Sequence, residues 1–291
     1  MIPPSFDYVA PKTLPEAVAL LGQHADAKVL AGGHSLIPLM RFRLASPAVV
    51  VDINRIEGLA YIREADGWLK IGAMTREADL ERSALIAEKY PLLADTTRVI
   101  ADPLVRNMAT LGGNLAHADP ANDHPATMLA YGAQIVATGP KGDRSIPIDN
   151  FFEGPFQTAL AHDEVLTEIR IPMSKPKSSG AYFKVERKVG DFATAAVAAQ
   201  VVLDGDGKCA SVGIGLTNVG LTPIRATAAE EALRGKSPDD DHIRQAARLA
   251  SEAAEPESDR RGSEEYKRAL VKTLTARALH KAITRARGGQ R

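Results

Sequence analysis

Cysteine is almost absent from this chain: Cys209 is the only one in 291 residues. A single thiol forms no internal disulfide, and it cannot supply the several ligands of a cysteine zinc or iron–sulfur site. An excess of either charge is missing too. Lysine plus arginine and aspartate plus glutamate both number 36, so no global field draws the chain to nucleic acid or a membrane surface. Long apolar runs are also lacking. The longest, around 193–203, is interrupted by Thr194 and Gln200 and is far shorter than a membrane span. The opening Met1-Ile2-Pro3-Pro4-Ser5-Phe6-Asp7 has neither the basic nor the apolar stretch of a secretory signal, and a cytoplasmic location is expected. With 45% apolar and 25% charged residues, the composition is that of an ordinary globular protein with room for two or three domains.

Two familiar nucleotide signatures are absent as well. No G-x-G-x-x-G joins a strand to a helix, and Gly139-Pro140-Lys141-Gly142-Asp143 is not a P-loop but a hairpin turn. In their place stand two glycine-rich turns, Ala31-Gly32-Gly33-His34-Ser35-Leu36 and Thr110-Leu111-Gly112-Gly113-Asn114. Each follows an apolar stretch and pairs two glycines with small hydrogen-bonding side chains. Glycine allows φ > 0 and lets backbone N–H groups approach an anion closely. One such turn commonly serves structure alone; two of similar design suggest the two sides of a dinucleotide pyrophosphate. A dinucleotide site without the Rossmann fingerprint points to FAD rather than NAD.

Three regions follow along the chain. Residues 1–55 read as a small β-α-β unit. Thr13-Leu14-Pro15-Glu16 forms a capping box before a helix with Leu14, Ala17, Val18 and Leu21 on its buried face, and strands at 28–30 and 48–53 flank the first glycine turn. Residues 56–174 carry strands at 59–64, 68–73, 129–138, 145–148 and 165–171. Helices are expected at 76–83 and 85–99, with a break at Pro91. A polar linker, Ser174 to Gly180, precedes a third region, 180–287, of strands at 181–187, 195–203 and 210–218 and then helices at 226–233, 239–254 and 263–287. Strands followed by helices imply an α+β domain, an antiparallel sheet under a helical layer.

The two turns in this order give the chain a family likeness. It resembles the FAD-binding medium subunits of the molybdenum hydroxylases (the xanthine dehydrogenase family), most closely the aerobic carbon monoxide dehydrogenase branch. The likeness is carried by LAGGHSLIPLM (30–40), Ile71-Gly72-Ala73-Met74-Thr75, IADPLVRNMATLGGN (100–114), Asp119-Pro120-Ala121-Asn122-Asp123, 166–172, 184–196, GIGLTNV (213–219) and Ser263-Glu264-Glu265-Tyr266. It implies an FAD-binding fold of the vanillyl-alcohol-oxidase (PCMH) type in two subdomains, followed by a flavoprotein C-terminal domain. It also implies non-covalent FAD, with the pyrophosphate on Ala31, Gly32, Gly33, His34 and Ser35 and on Thr110, Leu111, Gly112, Gly113 and Asn114. By the same resemblance Asp123 contacts the adenosine half, Lys184 stands near the flavin, and Ile100 lies along the isoalloxazine. Phe192, where a close relative type has Tyr, keeps an aromatic face and loses the phenol. Leu104 replaces a common Gln.

The implied role is electron transfer. By the resemblance, a large molybdenum-cofactor subunit oxidises substrate, a small iron–sulfur subunit relays electrons, and the FAD held here passes them to a terminal acceptor, the whole expected as a dimer of heterotrimers. The alternative is a stand-alone FAD oxidase or dehydrogenase of the same fold; a non-catalytic nucleotide-binding module is a third reading. No catalytic residue and no metal ligand is assigned. The cluster His117, Asp119, Asp123 and His124 fits no zinc spacing. Cys209 reads as an inert thiol, Asp239-Asp240-Asp241 as a helix start, and the basic residues Lys281, Arg285, Arg287 and Arg291 as a solvated helix end.

Overall fold

The computed structural model describes residues 2–289; Arg291, counted above in the basic tail, lies outside them. The first unit contains strands β1 (Asp7–Val9), β2 (Lys28–Leu30) and β3 (Val49–Asp52), with helices α1 (Leu14–Gln23) and α2 (Leu36–Arg41). The strands form a parallel sheet in the order β1-β3-β2. Central β3 is buried at Val49, Val50 and Val51, which explains its unbroken β-branched run. Thr13 caps α1 as expected, accepting from Glu16 N at 3.4 Å. The expected reciprocal bond is not made, because Glu16 Oε2 accepts from Lys12 N instead of Thr13 N.

The second unit opens with β4 (Ile62–Ala65) and β5 (Trp68–Gly72). Helices α3 (Glu77–Arg82), α4 (Ala84–Lys89), α5 (Pro91–Arg98), α6 (Pro103–Arg106), α7 (Leu111–His117) and α8 (Asp123–Tyr131) come next. Then follow β6 (Gln134–Gly139), β7 (Gly142–Pro147), the short β8 (Phe152–Gly154) and β9 (Gln157–Thr158), and β10 (Val165–Pro172). β4-β5-β10-β6-β7 make one antiparallel sheet, closed over a core that includes Ile71, Leu111, Leu115, Ile135, Phe151 and Ile169. Pro91 starts a new helix, so the expected break is a boundary between α4 and α5. The strand expected over 129–138 is half wrong. Residues through Tyr131 belong to α8, Gly132 ends it at φ 64°, and only then does β6 begin.

The third unit is the antiparallel sheet β11 (Ser178–Val185), β12 (Ala195–Leu203), β13 (Cys209–Thr217) and β14 (Ile224–Arg225). Helices α9 (Thr227–Leu233), α10 (Asp240–Ala253) and α11 (Glu264–Ala286) cover one face. Ser178–Gly180, read as linker, are already strand. The second face of the sheet meets the preceding unit. Ala196 and Ala198 of β12 and Tyr182 of β11 pack with Leu92 of α5 and Ala126 and Ala130 of α8, while Val197, Ala199 and Val201 face the sheet's own helices. Glycine makes this approach feasible. A Cβ on Gly213 or Gly215 would stand 1.9 or 2.0 Å from the carbonyls of Ala130 and Ala126.

Ion pairs reinforce the same junction. Arg285 binds both oxygens of Asp95 on α5, at 2.7 and 3.1 Å, and also donates to Gly180 O; Lys281 reaches Asp95 at 3.1 Å. These two cations are therefore not a solvated helix end. Their amphipathic spacing carries no sign of a partner so distant in sequence. Asp239 does cap α10, accepting from His242 N at 2.9 Å. Cys209 is buried, and burial pushes its thiol pKa up to about 11, consistent with an inert side chain.

Candidate cofactor site

The first glycine turn leaves β2 and enters α2. Gly33 takes φ +75°, a conformation that favours glycine. His34 folds back so that Nδ1 lies 2.8 Å from Gly32 O; because a carbonyl only accepts, Nδ1 carries the proton. Among the described residues, no acceptor takes the N–H groups of Gly32, Gly33, His34 or Ser35. Consecutive unclaimed amides at a positive-φ turn are an anion nest.

The second glycine pair is built differently. Thr110–Asn114 is not a free turn but the cap and opening turn of α7, with Thr110 as N-cap. Its amides are already spent. Leu111 N donates to Thr75 O at 3.1 Å, Gly112 N to Ala73 O at 2.9 Å, Gly113 N to Thr110 Oγ1 at 3.1 Å and Asn114 N to Thr110 O at 2.9 Å. The expectation that both glycine pairs offer free N–H groups is thus corrected for Leu111, Gly112, Gly113 and Asn114. Leu111 is fully buried in the core. Gly112 is glycine because a Cβ would meet Ala73 Cβ at 2.5 Å, and a Cβ on Gly113 would stand 2.8 Å from the capping Thr110 Oγ1 and 3.6 Å from Ala31 Cβ of the first turn. Asn114 retains an unpartnered side-chain acceptor, Oδ1.

The two glycine elements touch. A Cβ on Gly32 would stand 2.3 Å from Met108 O and 2.7 Å from Ala109 Cα, so backbone lies on backbone at this point. Two residues that sequence reasoning missed flank the contact. Asn54 Nδ2 donates to Ala31 O at 2.8 Å, its Oδ1 accepts from Arg76 Nη2 at 2.6 Å, and Arg76 Nη1 donates to Met108 O. Neither stands in a motif, and a lone Asn and Arg in loops give no spacing signal.

Asp123 and Lys184 form a second focus. Lys184 Nζ lies 2.9 Å from Asp123 Oδ2 and 3.1 Å from Val99 O, while Tyr182 donates to Asp123 Oδ1 at 2.6 Å. Burial pushes the Asp123 carboxyl up from its ordinary range, and Lys184 and Tyr182 pull it back. Tyr182 is itself driven far above a normal phenol by burial and by Asp123. The roles suggested for Asp123 and Lys184 lie at opposite ends of an extended dinucleotide. Joined in one ion pair, they cannot occupy both ends. His124, next along α8, turns the other way to Glu77, Nε2 to Oε2 2.8 Å, with both side chains fully buried.

The stretch at Ile100 and the loop bearing Phe192 come together. Ile100 is buried, its carbonyl accepts from Arg106 at 2.8 Å, and Ala101 takes φ +45°. Gly190, at φ +83°, rests against Ala101, where a Cβ would meet the carbonyl at 2.8 Å. Phe192 is 47% exposed and Leu104 76%, so both present apolar surface to the outside. No group of three His, Cys, Asp or Glu residues among the described residues is placed to hold a metal, and no helix of the described residues is long and apolar enough to cross a membrane.

Comparison with known proteins gives this arrangement a context. Residues 4–174 match the FAD binding domain in molybdopterin dehydrogenase, and residues 180–282 match the CO dehydrogenase flavoprotein C-terminal domain. The chain is 46% identical to the carbon monoxide dehydrogenase medium chain of Hydrogenophaga pseudoflava, across 98% of this chain and 99% of that one. It is 44% identical to the carbon monoxide dehydrogenase medium chain of Afipia carboxidovorans, across 99% of this chain and 100% of the relative. Among solved structures, it superposes with a TM-score of 0.95 and 48% identity on carbon monoxide dehydrogenase from Hydrogenophaga pseudoflava lacking the Mo-pyranopterin moiety of the molybdenum cofactor, covering 98% of this chain and 99% of that one.

Proposed function

This chain belongs to the FAD-binding medium subunits of the carbon monoxide dehydrogenase-type molybdenum hydroxylases, and from that membership we propose that it is the electron-transfer subunit of such a complex. In this reading it receives electrons from iron–sulfur clusters on a small subunit, fed by a large molybdenum subunit, and hands them to a terminal acceptor. That the relatives are medium chains supports partners of larger and smaller size, and a dimer of heterotrimers is the proposed assembly. Residues 1–55 and 56–174 form the two halves of the cofactor cleft, and 180–287 closes one end of it.

The residues suit FAD. The carrying observation is the nest of unclaimed amides at Gly32, Gly33, His34 and Ser35, which matches a pyrophosphate in charge and demands no side chain. The unpartnered Asn114 Oδ1 calls for a donor, which a ribityl or ribose hydroxyl would provide. When bound, FAD supplies a store of two electrons that can also be exchanged one at a time. The protein's own part is to hold and shield. Gly113 presents a wall without a side chain to the nest. Lys184 sets a cation, shared with Asp123, where it favours negative charge. Ile100 and the exposed ring of Phe192 are proposed to border the isoalloxazine.

The test is reconstitution. The full chain loaded with FAD should show no bleaching of flavin absorbance under carbon monoxide until both partner subunits are added. Bleaching of the isolated chain by carbon monoxide or an aldehyde would instead establish a stand-alone enzyme.

A further inference from the structure

A polar connection formed by side chains runs between the walls of the two glycine elements through Asn54 and Arg76. Asn54 follows β3 in the first unit; Arg76 precedes α3 in the second. The Asn54 carboxamide uses both of its ends: Nδ2 donates to Ala31 O at 2.8 Å and to Asp52 Oδ1 at 2.6 Å, while Oδ1 accepts from Arg76 at 2.6 Å. The guanidinium uses its second arm on Met108 O, the atom against which Gly32 is pressed. Asp52 is in turn fixed by the Tyr8 hydroxyl at 2.6 Å. Arg76 also pairs its backbone with Thr110, the cap of α7. Each end of this bridge therefore holds the backbone of one wall of the cleft.

We infer that Asn54 and Arg76 are positioning residues, a cross-clamp that fixes the distance between the first glycine turn and the Met108–Thr110 backbone and so sets the grip of the amide nest on a pyrophosphate. The inference rests on the cofactor reading above. The alternatives to a clamp are poor. Guanidinium and carboxamide are planar groups whose hydrogen bonds are directional, so together they transmit position from one wall to the other. Apolar packing across the same gap would not fix the register of the carbonyls of Ala31 and Met108. The clamp acts on the walls and leaves the unclaimed amides themselves free.

Asn54→Leu removes both ends of the carboxamide at similar size. Asn54→Asp keeps an acceptor for Arg76 and loses the donor to Ala31 O. Arg76→Lys keeps the charge and loses the fork. The experiment titrates the full chain with FAD, and separately with ADP and riboflavin, by calorimetry, beside thermal melts of each apoprotein. All three variants are expected to bind FAD and ADP at least tenfold more weakly, by a common factor, with riboflavin unaffected. The double variant Asn54→Leu/Arg76→Lys should be no weaker than Asn54→Leu, because a clamp is broken only once.

Unchanged ADP affinity in Asn54→Asp, or additive losses in the double variant, would overturn the clamp. Gly33→Val, at φ +75° within the nest and away from the Met108 backbone, serves as the reference. If it loses FAD while the three clamp variants retain it, the clamp fails and the site stands; if all four retain it, the cofactor site itself is misplaced. Arg76→Lys is the mildest change, since Asn54→Asp also sets a carboxylate against Asp52, and an apoprotein melting like the parent chain shows that its affinity reports the cleft and not the fold.

Discussion

Lys184 and Asp123 meet at 2.9 Å across the junction of two domains, one on the edge strand of the C-terminal sheet and the other at the start of α8. Their side chains are 3% and 7% exposed, so Lys184 is the principal compensation of the Asp123 carboxylate for leaving water, while Lys184 also has Glu186 Oε2 at 3.3 Å. Lys184→Met should leave a buried carboxylate with only the Tyr182 hydroxyl, and should cost about 3–5 kcal/mol. Pairing it with Asp123→Leu should recover part of that loss, since Glu186 still lacks its cation. Denaturant melts of the two variants measure the difference, and equal destabilisation by single and double change would count against an ion pair that matters.

The glycines separate into two kinds, and substitution should tell them apart. Gly112→Ala presses a Cβ to 2.5 Å from Ala73 and should lower stability by about 1–3 kcal/mol, with flavin still retained by the folded fraction. Gly33→Val forces a branched residue to φ +75° within the nest and should release FAD from a chain that remains folded. Flavin content per folded chain, by absorbance after gel filtration, is the measurement. Full occupancy in Gly33→Val would remove the nest from the site.

If the half-exposed ring of Phe192 borders the isoalloxazine as proposed, Phe192→Ala should raise flavin fluorescence and quicken reoxidation. The affinity for ADP should not change, since the pyrophosphate cradle is elsewhere. Unaltered spectra together with unaltered reoxidation would assign Phe192 to a surface without a cofactor role.

The loop that carries Phe192 is held by an ionised Asp191. Burial opposes that charge, but the hydrogen bonds from Phe192 N–H, Arg187 and Arg261 outweigh it and hold the carboxyl below its ordinary 3.8. A folded pKa below the unfolded one contributes stability above the unfolded value, and the contribution is lost as pH falls through the folded value. Asp191→Asn should therefore melt lower than the parent at neutral pH, and the gap should close below about pH 3.8. A gap that persisted undiminished in acid would mean that shape rather than charge holds the loop.

The sequence showed clearly those elements whose burial is one-sided or continuous. β12 was expected over Ala195–Leu203 and is found there, because alanine and β-branched residues buried on both faces read as strand. α11 and α10 were legible from their caps and spacing. α8 was not. All but the last of its residues, Asp123 through Ala130, are buried, so no 3.6-residue alternation marks it, and its apolar end runs into β6 as though one strand. α7 was hidden by Gly112-Gly113, which read as a loop because the close approach to Ala73 that requires glycine depends on tertiary contact. Of the two glycine pairs, the first has the φ > 0 and the open amides that its sequence suggested. The second spends its amides within the fold, through partners at Ala73 and Thr75 that no local pattern reveals. Asn54 and Arg76 matter through partners in other elements, and no local pattern announces them.

Asp95 has a further consequence, for the order of synthesis. Its two cations arrive 186 and 190 residues later in the chain. As the polypeptide emerges from the ribosome, the half that bears both glycine pairs is present long before α11 can latch onto it. Throughout that interval Asp95 lacks its cations, and once β11 and β12 are made, the face of their sheet that carries Val197, Ala199 and Val201 is still bare of α11. The ion pairs of the junction are thus completed last, by a helix that reaches back over β11 and β12, and a nascent chain halted before α11 would display the apolar face of these strands to the cell's chaperones.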